Sequence, residues 1–162
     1  MKLMKYIHQR VILPLRIIPA GGLSDEKIAF SLMLGVLTGC FPVLGGTTVL
    51  GFILAGVFRQ NLAIIQAINW LLAPVQLILI IPLIRLGSGI FRSKEIIVSI
   101  EQVQHAFEIG ITEGIRFMGI LNLYGIIAWL LLALPAGLLS YFIFRQSVDF
   151  IRKKLAVAEK KA

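Results

Sequence analysis

Acidic residues and sulfur are scarce in this sequence. Eight Asp and Glu stand against sixteen Lys and Arg, with two histidines and one cysteine, Cys40. A single cysteine excludes an intramolecular disulfide and paired-thiol metal sites, and a buried free thiol behaves as a small hydrophobe. Charge of either sign is missing from three long stretches, residues 28–58, 60–84 and 117–144. None of the eight acids lies there, so the paired carboxylates or His–carboxylate pairs of hydrolases and transferases find no place in the apolar part of the chain. A P-loop is absent too, because Gly45-Gly46-Thr47-Thr48 lacks the lysine and the preceding glycine spacing. No catalytic residues, metal ligands or cofactor are expected, and the chain reads as a non-enzyme.

What the sequence has is oil. It is 58% hydrophobic and 15% charged over 162 residues, against about 45–50% and about 25% in soluble domains. Each uncharged run exceeds the roughly 20 apolar residues that cross a bilayer. One such run could be the core helix of a soluble protein; three in a chain this short predict an all-α integral membrane protein. The net charge of +8 is not a nucleic-acid signature, because no aromatic-and-basic platform accompanies it. The basic residues gather at the two ends: Lys2, Lys5, Arg10 and Arg16 in front, Arg145, Arg152, Lys153 and Lys154 behind. Beside apolar runs, such clusters meet anionic headgroups and fix orientation.

Along the chain, residues 1–23 form a basic amphipathic leader with no cleavable signal evident. Residues 24–144 form one membrane domain, and 145–162 a basic tail that frays after Ala156. Ser24 is a candidate N-cap, followed by Asp25 and Glu26 in a first helical turn. The run 28–58 is too long for one crossing and too short for two. Pro42, which has no amide, and Gly45-Gly46, which tolerate positive φ, divide it. This predicts a broken or re-entrant hairpin, with backbone at membrane depth that protein or a water-filled cavity must cover. Residues 60–84, interrupted at Pro74, are expected as one membrane helix. Residues 92–116 are expected as an amphipathic surface helix on which Glu101, His105 and Glu108 form a solvated face, and 117–144 as a last membrane helix. Both basic ends should be cytoplasmic, in a bacterial inner membrane, which requires an even number of crossings. One hairpin and two spans satisfy this. In the alternative, runs two and three also fold back, at Pro74 and Pro135.

The residues Ser24, Ile28-Ala29, Gly35, Gly39, Phe41-Pro42-Val43-Leu44-Gly45, Thr47-Thr48, Arg59, Asn61, Asn69-Trp70 and Pro74-Val75-Gln76 carry a resemblance. In that order and spacing they resemble a bacterial membrane family catalogued as domain of unknown function 2062. Ala73 stands where many members have asparagine, so any polar role of that position is lost here or carried by Asn69 or Gln76. Some relatives are fused to glycosyltransferase-like or methyltransferase-like domains, which implies a setting of envelope or lipid-linked sugar chemistry.

The remaining chemistry is uncharged polarity at membrane depth: Thr47, Thr48, Gln66, Asn69 and Gln76. Such groups cost free energy in lipid unless bonded. On an unbroken helix Asn69 and Gln76 share a face. A helix starting near Thr47 would turn free N–H groups inward, as transporters with broken helices do for anionic groups. With Pro42 and Gly45 these residues are the candidate pathway for a small or lipid-linked anionic solute. The competing role is a non-transporting anchor or scaffold for envelope enzymes, in which the same groups bond helices together. A cavity at the tip would favour transport; a dry interface with every polar group paired would favour scaffolding. A transporting unit of this size would need a homo-oligomer to enclose a pathway.

Overall fold

The structure, a computed structural model, describes residues 23–91 and 100–159. These form six helices: α1 (Asp25–Gly39), α2 (Gly46–Phe58), α3 (Leu62–Leu71), α4 (Ala73–Ile90), α5 (Ile100–Ile109) and α6 (Ile111–Glu159). Among the described residues there is no strand. The basic leader, with Lys2, Lys5, Arg10 and Arg16, lies outside them.

α1 starts as its residues require. Ser24 Oγ accepts the Lys27 N–H at 3.3 Å, and Asp25 and Glu26 fill the first turn. The helix stops at Gly39; the Cys40 N–H still reaches Val36 O and the Phe41 N–H reaches Thr38 O. Pro42 has no amide to continue the ladder, and Gly45 takes φ 79°, open to glycine at little cost. The chain then folds back, so that Phe30 near the start of α1 meets Phe58 at the end of α2 with ring centroids 5.6 Å apart. α2 ends in a Schellman turn. Arg59 adopts φ 51°, and the Gln60 N–H bonds Ala55 O at 2.9 Å. Asn61 Oδ1 then caps α3 by accepting the Ile64 N–H at 3.1 Å.

α1 is the central element, with nine of its fifteen residues buried. Met33 and Leu34 pack with Ala55 of α2 and Ile65 of α3; Ile28 and Leu32 pack with Ile64. α3 approaches closely because Gly35 and Gly39 present no side chain: a Cβ at Gly35 would sit 2.7 Å from Ile68 Cβ, and one at Gly39 3.0 Å from Leu72 Cβ. At a second crossing Gly87 of α4 lies against the backbone of Tyr124 in α6, too close for any side chain. Small residues at such crossings let apolar helices gain dispersion contact without a hydrophobic drive between them.

Four expectations are corrected. Residues 60–84 are not one membrane helix: the chain breaks at Leu72, between α3 and α4. Pro74, near the start of α4, cannot donate to the carbonyl of Trp70, so the ladder fails there. The redirected chain packs α3 on α1 and α4 on α6. Of the amphipathic segment 92–116, residues 92–99 lie outside the described residues and the rest does not reach 116; α5 ends at Ile109, and after Gly110 residues 111–116 already belong to α6. Residues 117–144 neither fold back at Pro135 nor stop at 144. Pro135 sits inside one 49-residue helix, about 74 Å long at 1.5 Å per residue. The tail therefore does not fray after Ala156; it is helical to Glu159, and its first part is tied down. Arg145 pairs with Glu26 at 3.0 Å and Arg152 with Asp25 at 2.6 Å, clasping the end of α6 to the start of α1.

The outer surface is apolar. Phe52, Ile53 and Val57 of α2, Leu77 and Ile78 of α4, and Leu131, Leu134, Leu138 and Leu139 of α6 are all exposed. α4 and α6 are long and apolar enough to cross a membrane, and only 11% of the apolar span of α6 is buried in the fold.

Candidate functional site

The reversal at 40–45 is where the fold meets its hardest local problem. The end of a helix leaves carbonyls without donors, and Pro42 removes one amide more. Side chains from two other elements supply the missing donors. Gln76 Nε2, from the first turn of α4, donates to Phe41 O at 2.9 Å and Val43 O at 3.4 Å. Trp129 Nε1, from α6, donates to Leu37 O at 3.1 Å, and its ring meets Phe41 edge-on with centroids 5.1 Å apart. Pro42 is further enclosed by Gly125, where a Cβ would lie 3.1 Å from Pro42 Cβ and 3.4 Å from Ile84. α4 and α6 thus pack against the tip together.

A second set of bonds holds the limbs. Gln66 Nε2 donates to Thr48 O at 3.0 Å, and Asn69 Nδ2 donates to Gln66 Oε1 at 3.2 Å. Thr38 Oγ1 bonds Leu34 O at 2.9 Å. At the open end, Ser31 Oγ donates to Lys27 O at 2.7 Å and accepts the Asn61 N–H at 3.1 Å. Asn69, Gln76, Thr47, Ser31 and Thr38 are all buried. Ser31, Thr38, Asn69 and Gln76 each make a side-chain hydrogen bond, and among the described residues the one fully enclosed side-chain oxygen without one is Asp25 Oδ1, at the base, which faces Arg152 instead. That is what a low-dielectric interior demands, since a buried polar group left alone costs about 1–3 kcal/mol.

The expected site residues therefore gather around one hairpin but not in one row. Because the helix breaks at Leu72, Asn69 and Gln76 do not share a helical face. Asn69 bonds toward α2 through Gln66, whereas Gln76 turns to the tip. Thr48 contributes its backbone carbonyl. Gly45 and Gly46 shape the turn and the start of α2. Sequence reasoning passed over Ser31, Thr38 and Trp129. Ser31 and Thr38 lie seven apart on α1, and that spacing on a central helix was the signal to follow. The indole of Trp129 can only donate, but its acceptor 92 residues away has no mark in the sequence.

Elsewhere, His105 Nδ1 lies 3.6 Å from Glu108, both side chains 75% exposed. This matches a solvated face. Among the described residues no group of three His, Cys, Asp or Glu could hold a metal. Comparison with known proteins finds one family, described as "uncharacterized protein conserved in bacteria", domain of unknown function 2062, whose pattern matches residues 16–156. No curated protein and no solved structure matches the chain.

Proposed function

The chain belongs to the bacterial family of domain of unknown function 2062, and for this member we propose a structural role in the cytoplasmic membrane, as a non-transporting anchor or scaffold. In this reading α1 and α2 re-enter the lipid from one face, the broken pair α3–α4 and the long α6 supply the two crossings, and both termini are cytoplasmic. The apolar exteriors of α2, α4 and α6 support immersion in lipid. α6 serves as a ruler: Arg145 marks the base through its bond to Glu26, and Gly125 touches Pro42 at the tip. The two positions are twenty helical steps apart, about 30 Å at 1.5 Å per residue. A hairpin limb of 15 residues gives about 22 Å by the same rise. The tip thus falls in the far half of a hydrocarbon core of about 30 Å.

The observation that carries the scaffold reading is the pairing inside the hairpin. Gln66, Asn69 and Gln76 spend their donors on one another and on the carbonyls of Phe41, Val43 and Thr48. Passage of a small or lipid-linked anionic solute, expected from the sequence as the preferred role, requires those bonds to open. A homo-oligomer, expected because one chain is too small to enclose a pathway, is not needed by an anchor. What it anchors is proposed to be envelope or lipid-linked glycan enzymes, which rests on the fusions seen among relatives.

The test is flux in proteoliposomes loaded with small anions, comparing the wild-type protein with Thr48→Val and Asn69→Leu. The scaffold reading expects flux no higher than in protein-free vesicles for all three. Flux above that background in the wild-type protein, lost in either variant, overturns it and restores a solute pathway.

A further inference from the structure

Arg59 is the sole non-glycine residue with positive φ among the described residues. The left-handed region suits glycine and penalises a side chain with a Cβ, yet this turn holds an exposed arginine. Local strain of this kind directs attention to what the side chain does. Arg59 is also the only charged residue between Lys27 and Arg85 in the sequence.

Its surroundings are specific. Ser31 Oγ bonds both Lys27 O and the Asn61 N–H, so the turn carrying Lys27 and the corner carrying Arg59 form one unit. Lys27 is exposed as well. Under this corner lie Phe58, Phe30 and Tyr141, with Phe30 edge-on to both neighbours at 5.6 and 6.2 Å. Aromatic rings beside cations are the composition of a headgroup layer. At the same end Arg145 and Arg152 are matched by Glu26 and Asp25. Among the described residues, Lys27 and Arg59 have no acid within ion-pair distance. Leading up to Arg59, Val49, Ile53 and Val57 form an exposed ridge on α2 at four-residue spacing.

We propose that Lys27 and Arg59 hold the headgroup phosphate of an anionic phospholipid, with one acyl chain along Val49, Ile53 and Val57. The guanidinium fork matches two phosphate oxygens, and the ammonium adds a point charge. The ridge decides for a lipid over free phosphate, which would make no use of it. This assignment rests on the membrane reading above.

The test is native mass spectrometry of the full chain in detergent, titrated separately with phosphatidylglycerol, phosphatidylcholine and inorganic phosphate. The expected result is a preference for phosphatidylglycerol over phosphatidylcholine that falls about fivefold for each cation removed in Lys27→Gln and Arg59→Gly. Arg59→Gly deletes the guanidinium while relaxing the backbone, so the fold is kept. An Arg116→Gln control, an exposed cation near the other end of α6, retains the preference. An unchanged preference in the Lys27→Gln/Arg59→Gly double variant, or no preference in the wild-type chain, overturns the assignment. So does competition by millimolar inorganic phosphate as strong as that of the lipid. Alkaline carbonate extraction separates the two failures: retention in the membrane without lipid preference sinks this proposal alone, and release sinks the membrane reading with it.

Discussion

The two halves of this protein solve the problem of apolar helices in opposite ways. α1 buries nine of fifteen residues among its neighbours, whereas the apolar span of α6 has 11% of its residues buried. Around α1 the contacts are close and polar. Glycines admit the next helix at Gly35 and Gly39, and amide side chains serve the backbone at the tip. α6 leans on the others with one side and keeps leucines along much of the rest. The hairpin half is therefore built by protein contacts. The rod half is a long helix, apolar enough to cross a membrane, whose outer face stays uncovered by the rest of the fold. Substitutions should hurt the first and spare the second.

The largest contrast is steric. Gly35→Leu drives a side chain into Ile68 and the carbonyl of Ile65, and should destabilise at or beyond the top of the about 1–3 kcal/mol range for overpacking. Gly119 of α6 faces open space, with no atom within 4 Å of where a Cβ would stand. Gly119→Ala should therefore be neutral or stabilise by up to about 1 kcal/mol through helix propensity. Thermal unfolding in detergent measures both, and equal losses would dissolve the distinction between the halves.

Next comes the tip. Gln76→Leu leaves Phe41 O without its side-chain donor, while Val43 O keeps the Gly46 N–H, and should cost about 1–3 kcal/mol, read by the same unfolding assay. Trp129→Phe keeps the aromatic contact with Phe41 and loses the N–H to Leu37 O, for about 1 kcal/mol. If both variants unfold like the wild-type protein, the tip is held by packing alone. The smallest effect belongs to the clasp between the halves. Arg145→Gln breaks a pair in which Glu26 is 68% exposed, so the loss should be the smallest of the set and shrink further in high salt.

How much of this was legible in the sequence follows from how local each cause is. Ser24 caps α1 and Pro42 with Gly45 ends it, because caps and turns act within a few residues. The break at Leu72 hid inside a run with uniform hydropathy. Pro74 pointed to it, yet proline reads the same way at 135, where the helix continues unbroken. What separates the two is tertiary. After Leu72 the chain has α6 to pack against and a tip to serve through Gln76; around Pro135 the outer face is exposed while Gly137 packs on Leu37 of α1, so a straight helix keeps its contacts. The clasp was illegible for the same reason. Arg145 and Arg152 read as part of a basic tail until α6 brings them beside Glu26 and Asp25, more than a hundred residues earlier.

The scaffold reading stands or falls on a sealed hairpin tip, its polar groups closed on one another inside the membrane. The native Cys40, half-buried at the tip, reports on this directly. Sealed right-side-out and inverted vesicles are treated with a membrane-impermeant maleimide, then denatured and treated again. A sealed tip gives no labelling of Cys40 from either side and full labelling after denaturation. Rapid labelling from one face before denaturation would mean that water reaches the tip, and a closed scaffold would be ruled out.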